Sequence, residues 1–166
     1  MPAGSGPRPS LVRERVWEVL DHIVDPEIRQ LSIRQLGMVQ SVSQPSQDTI
    51  EIVLRPTFSG CPALDIIRAS VRLEVSRALD WPLEAVNVVY AFDQPWNTER
   101  ISDSGRASLI RSGISPPADQ PGERTVCPCC HSSRVVLTSR FGATRCRQQY
   151  LCQACRTPFE GIKPLG

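Results

Sequence analysis

Histidine, aromatic side chains and long apolar runs are all scarce in this chain of 166 residues. Only two histidines occur, His22 and His131. No Cys/His/Asn set forms around them, so classical hydrolytic chemistry finds little support. There is no glycine-rich phosphate loop and no internal repeat. No apolar run approaches the roughly 20 residues needed to span a bilayer, which argues against a membrane protein. The opening MPAGSGPRPS lacks the apolar core of a secretory signal. Residues 1–9 therefore read as a disordered lead-in to a cytoplasmic protein. Cysteine, by contrast, is plentiful: there are seven, six of them beyond residue 126. Four of the seven stand in CxxC pairs, a pattern that favours metal over disulfides in a reducing compartment.

Net charge is only +2, but it is unevenly shared. Residues 1–123 hold 12 basic and 16 acidic side chains, and residues 124–166 hold 7 and 1. An acidic body thus precedes a basic tail. Such asymmetry marks a partner or nucleic-acid surface, or two oppositely charged parts that dock on one another.

Apolar periodicity places the elements. Val12, Val16, Val19, Leu20 and Ile23 recur at helical spacing after a candidate cap at Ser10 and before a stop at Pro26. The loop DPEIRQLSIRQLG follows. Two strands near 38–43 and 49–55 read as a hairpin across QPSQD, with Ile50, Ile52 and Leu54 on one face and Glu51, Val53 and Arg55 on the other. A second helix over about 63–79 shows Leu64, Ile67, Val71, Val75 and Ala78 on one side and ends at Trp81-Pro82. A third strand spans 86–92, with Val86, Val88, Tyr90 and Phe92 on one face, and a weaker helix follows over 98–112. A crossover helix between strands implies a parallel pair. The expected fold is a small two-layer α+β (or α/β) domain of order αββαβ(α), with a mixed sheet, over residues 10–113. The stretch ISPPADQPGER, 114–124, reads as a linker, and 125–166 as a four-cysteine β ribbon.

In that tail Cys127 and Cys130 form one CxxC pair and Cys152 and Cys155 the other, with 21 residues between them. Two such loops complete a tetrahedron around one ion. So polar a segment buries too little to fold unaided, and metal would supply the missing stability. Zinc is the default for four thiolates, but iron or an iron–sulfur cluster fits the same donors. Cys146 is open between a further ligand and a small buried strand residue. Cys129 reads rather as an incidental neighbour within CPCC.

Cys61 stands apart, in TFSGCPALD. With Pro62 at the first helical position, Cys61 would be the N-cap, facing free N–H groups that lower a thiol pKa. Such a thiol suits a metal ligand or nucleophile; the plainer alternative is a small residue packed at a helix start. Thr57 and Ser59 offer hydroxyls nearby. Asp25 and Glu27, flanking Pro26, are candidate acidic neighbours, although Asp25 also fits a simple turn cap.

Asp25-Pro26-Glu27, Leu36-Gly37, and Thr57 with Cys61-Pro62 resemble the iron–sulfur-assembly domain family that includes SufT-type proteins, over about residues 10–95. PWNTERISDSGRASLIRSGISPP, CPCC and FGATRCRQQYLCQACRTPFEGIK extend the likeness over nearly the whole chain, to the D-protein family (PaaD) of bacterial phenylacetate degradation. The resemblance implies a factor that assists maturation of a multicomponent phenylacetyl-CoA epoxidase, made of a di-iron oxygenase and an iron–sulfur flavoprotein reductase, with no catalysis of its own. It implies Cys61 as the key thiol, holding iron or an Fe–S cluster transiently beside Asp25 and Glu27. Cys127, Cys130, Cys152 and Cys155 would hold metal, with Cys146 in the family pattern. Relatives tend to carry a further cysteine after the last strand, where this chain has Lys163-Pro164-Leu165-Gly166. Two other readings stand beside this one. One is a structural component of the epoxidase. The other is a nucleic-acid-binding zinc ribbon, disfavoured because Tyr150 and Phe159 are its few stacking aromatics. A homodimer is left open.

Overall fold

A computed structural model of the chain describes residues 9–57, 60–117 and 125–163. The expected lead-in up to residue 8, Ser59, most of the expected linker and the last three residues lie outside them.

The first apolar stripe forms α1 (Pro9–His22), with Val12, Val16, Leu20 and Ile23 buried. Ser10 lies inside this helix and does not cap it. β1 (Val39–Ser46) and β2 (Thr49–Leu54) form the expected antiparallel hairpin. α2 (Leu64–Leu79) crosses over to β3 (Val86–Tyr90), which lies parallel to β2. The sheet order is β1-β2-β3, a mixed sheet with α1 and α2 packed together on it. Ile50, Ile52 and Leu54 meet Ile67, Val71 and Val75 in the core, each such side chain contributing about 1.5–3 kcal/mol.

Several expectations need correction. Arg55, assigned to the outward face, is only 4% exposed. Gln94 and Gln40 accept from its guanidinium at 3.1 and 2.9 Å, which satisfies part of the charged group inside. β3 ends at Tyr90, and Phe92 is 61% exposed beyond it. The last helix is two pieces, a 3-10 turn over Thr98–Arg100 and α3 (Asp103–Arg111). Ile101 and Ser102 break them by adopting extended geometry, and the Ser102 hydroxyl accepts from Gly105 N–H at 3.1 Å as the N-cap of α3.

Ile114 and Ser115 were expected to open the linker. Instead they form β4, paired parallel with β7 (Pro158–Ile162). β5 (Val135–Ser139) and β6 (Arg147–Cys152) complete a second sheet of order β4-β7-β6-β5. The α/β domain therefore runs directly into the ribbon's sheet, and Ile114 and Ile162 bury in the same core as α1 and α2.

Candidate functional site

The ribbon's four cysteines come together as their spacing requires. Cys127 and Cys152 are buried, Cys130 and Cys155 exposed, and all four sulfurs lie within 4.8 Å of one another. Cys127 to Cys155 is 3.7 Å and Cys130 to Cys152 is 3.6 Å. A tetrahedral ion with metal–sulfur bonds of about 2.3 Å sets its ligands roughly 3.8 Å apart, so the donors fit a metal.

The two knuckles are built alike. Cys127 N–H donates to Ser132 O and Cys152 N–H to Thr157 O, both at 3.0 Å. His131 N–H and Arg156 N–H return to Cys127 O and Cys152 O, both at 2.9 Å. Each loop closes on a left-handed residue, His131 at φ 57° and Arg156 at φ 64°. Thr157 supplies a hydroxyl 3.4 Å from Cys155 Sγ and a backbone N–H, which bring that thiol down to about 6. Cys129 is exposed and outside the quartet.

Tyr150 and Phe159, the expected stacking aromatics, are spoken for: their rings stack on each other at 5.4 Å inside the ribbon. Phe141, passed over in the sequence, is the exposed one, at 81%.

Cys61 lies two residues before the true N-cap of α2, which is Ala63. Ala63 N–H still reaches its sulfur, but burial outweighs that bond and pushes the thiol up, and Asp25, Glu27 and Cys146 add to the rise. The expected lowering is thus reversed, first by burial and then by acidic groups that sequence could not place. Tyr90 Oη donates to Leu64 O at 2.7 Å and pins the first turn of α2 to β3.

Asp25 is only 3% exposed. Its Oδ1 accepts from Glu27 N–H and Ile28 N–H, both at 2.8 Å, which folds the DPE loop into a tight turn. The Val24–Ser32 bridge closes that loop at its base. Burial raises the Asp25 carboxyl above its usual 3.8, opposed by those N–H bonds. Folding therefore favours the protonated form, so this stabilisation is full below about 3.8 and is lost as pH rises through the folded-state value. Asp25→Asn keeps the acceptor and removes the buried charge. It is expected to lie within about 1 kcal/mol of wild type at neutral pH and to flatten the stability slope in acid. Asp25→Ala orphans one buried and one half-buried N–H group and is expected to cost about 2–4 kcal/mol in urea titration. Equal losses for both variants would contradict this account.

Asp25, Glu27, Thr57 and Cys61 share one cavity of about 410 Å³, and Phe141, Arg145, Cys146 and Lys163 of the ribbon form its other wall. Arg147 bridges the two parts, donating to Glu27 O and Gln30 Oε1 at 3.2 Å while paired with Glu160 at 3.1 Å. Arg145 reaches Gly60 O at 3.5 Å. Two arginines of the tail thus dock on the body through neutral acceptors, two backbone carbonyls and an amide oxygen. A larger groove between α1 and α2, about 730 Å³, carries no thiol, and its arginines pair along their own helices, Arg15 with Glu18 and Arg77 with Glu74. The thiol-bearing cavity is therefore the candidate site. No helix among the described residues is long and apolar enough to cross a membrane.

Fold and site define a two-part protein, a small mixed-sheet α+β domain docked on a ribbon whose four cysteines suit a metal. The family model for an iron–sulfur cluster assembly protein matches residues 13–88, and that for the PaaD zinc beta ribbon domain matches 114–163. The chain is 37% identical over 153 residues to the D component of the putative 1,2-phenylacetyl-CoA epoxidase of Escherichia coli, covering 89% of this chain and 90% of that protein. It is 25% identical over 96 residues to an "Fe-S protein maturation auxiliary factor" of Porphyromonas gingivalis, covering 58% of this chain and 89% of the relative. A crystal structure of a DUF59 domain from Bacillus anthracis shares the fold, with a TM-score of 0.56 at 24% identity, over 61% of this chain and 93% of that one. The chain belongs to the PaaD family.

Proposed function

We propose that this protein is a cytoplasmic maturation factor of the iron–sulfur-assembly type, serving a multicomponent phenylacetyl-CoA epoxidase. Cys61 holds iron or an Fe–S cluster transiently and passes it to a client. The clients are the epoxidase proteins, a di-iron oxygenase and an iron–sulfur flavoprotein reductase. The ribbon quartet holds zinc as a structural ion, completing its fold and supplying no redox chemistry. The observation that carries the reading is the placement of Cys61 on a cavity wall with two carboxylates and a second thiol. These groups disfavour a bare thiolate, and a bound cation offsets all of them at once. The names of the two relatives support the client and the role.

Cys61→Ser is expected to leave the fold and the ribbon metal unchanged and to lower cluster loading of the reductase and epoxidation at least tenfold in a reconstituted system. Normal loading and activity would overturn the proposal. The E. coli relative is named as a component of the epoxidase itself, which favours a second reading, a stoichiometric structural part of that complex. One-to-one co-purification with the oxygenase, together with a fully active Cys61→Ser variant, would select it.

A further inference from the structure

Cys61 and Cys146 stand 85 residues apart and belong to different parts of the fold, yet they line one cavity. The placement of Cys146 is held from three sides. Lys163 N–H donates to Cys146 O at 2.9 Å. On either side of Cys146, Arg145 and Arg147 reach across to Gly60 O and to Glu27 O. The Thr144 hydroxyl lies 3.1 Å from Cys146 Sγ.

Asp25 supplies an independent observation. It is only 3% exposed and lines the same cavity, yet among the described residues both of its backbone bonds fall on Oδ1 and neither on Oδ2. Two thiols and a carboxylate oxygen around one apolar-walled space are a donor set for iron.

Among the described residues, the ribbon quartet is the group of three or more such donors whose ligand atoms all lie within 4.8 Å of one another. The trio of Cys61, Cys146 and Asp25 is not such a group, and the cavity's volume of about 410 Å³ leaves room for a guest larger than one ion.

We infer that Cys146 is the second thiolate ligand of the cargo: a two-iron, two-sulfide unit sits in the cavity, with Cys61 on one iron and Cys146 on the other. Asp25 Oδ2 is the oxygen donor within the same walls. This rests on the reading of Cys61 as the cargo thiol. Each thiol releases its proton to solvent as it ligates, and no electron transfer is needed when ferric iron and sulfide are supplied. The ribbon is then half of the cargo site as well as a stabilised appendage.

The test uses the full chain with its ribbon metal in place. It is loaded without oxygen from ferric iron, sulfide and dithiothreitol, then footprinted with iodoacetamide and read peptide by peptide. Cys61 and Cys146 are expected to lose alkylation rate together, at least tenfold and in proportion to bound iron, while exposed Cys129 is unchanged. Protection of Cys61 alone would overturn the inference and leave the maturation reading standing. Absence of bound iron and of protection at Cys61 would overturn both. As a second measurement, Cys146→Ser with ribbon metal content retained is expected to bind at least tenfold less cluster by visible absorbance. Full cluster binding by that variant would also overturn the inference.

Discussion

Stripping the ribbon of metal is expected to unfold residues 125–163 while α1, α2 and β1–β3 stay folded. The reason lies in what the ribbon buries. Its own apolar cluster is Cys127, Tyr150, Cys152 and Phe159, with Val135 against it. Two of those four are ligands, so removing the ion takes away both the cross-link and half of the core. Structural zinc in small cysteine sites is worth about 10–16 kcal/mol of binding free energy, far more than a stacked Tyr150–Phe159 pair, at about 0.5–1.5 kcal/mol beyond its burial. The α/β domain has its own core, from Val12 to Leu109, and should melt separately. Ile114 and Ile162 tie β4 and β7 to that core, so loss of order should spread from β5 inward. Hydrogen exchange after chelation measures this directly. The amides of Cys127, His131, Cys152 and Arg156 should lose protection first, and those of Ile50 to Leu54 should keep it. Unchanged protection at the knuckles would mean that docking, not metal, holds the ribbon.

Gly37→Ala is expected to destabilise the α/β domain by about 2–5 kcal/mol. Gly37 sits at φ +66°, where a side chain costs about 1–2 kcal/mol. A Cβ there would also fall 2.3 Å from Arg100 O and 2.6 Å from Arg100 Cβ. Arg100 cannot withdraw freely, because its Nε donates to Gly37 O at 2.9 Å and Trp96 Nε1 donates to Leu36 O at 2.8 Å. Overpacking against such a fixed neighbour adds about 1–3 kcal/mol. For a chain of this size the melting temperature of the α/β domain should fall by roughly 5–15 °C. A fall of less than about 2 °C would show that the loop after Leu36 adapts and that the close approach is not required.

Both expectations concern features that were local enough to read in part from sequence. The Leu36-Gly37 turn before a strand was legible as a motif, while the partner that makes glycine necessary, Arg100, was not. The ribbon quartet was fully legible, because a CxxC loop places two sulfurs together within four residues and needs no distant neighbour to do so. Helix and strand positions followed from periodicity for the same reason. The break at Ile101 and Ser102 was missed because two residues in extended geometry barely disturb an apolar pattern.

The amino-acid sequence by itself determined the αββαβ order, the mixed sheet, the metal-binding cysteine pairs and the family. Only the tertiary structure decided what surrounds Cys61. Local reasoning put free N–H groups and a lowered pKa there. The folded chain instead brings burial, Asp25, Glu27 and Cys146, because the thiol's state depends on every charge within reach and not on its own helix alone. Arg55 was outward by alternation and is buried because Gln40 and Gln94 come to meet it. The pairing of Ile114 and Ser115 with β7 turned the first two residues of an expected linker into a seam with the ribbon, whose Arg147 reaches the DPE loop at Glu27 O. Strand pairing and cavity walls join residues far apart in the chain, and that is why they appear only once the chain is folded.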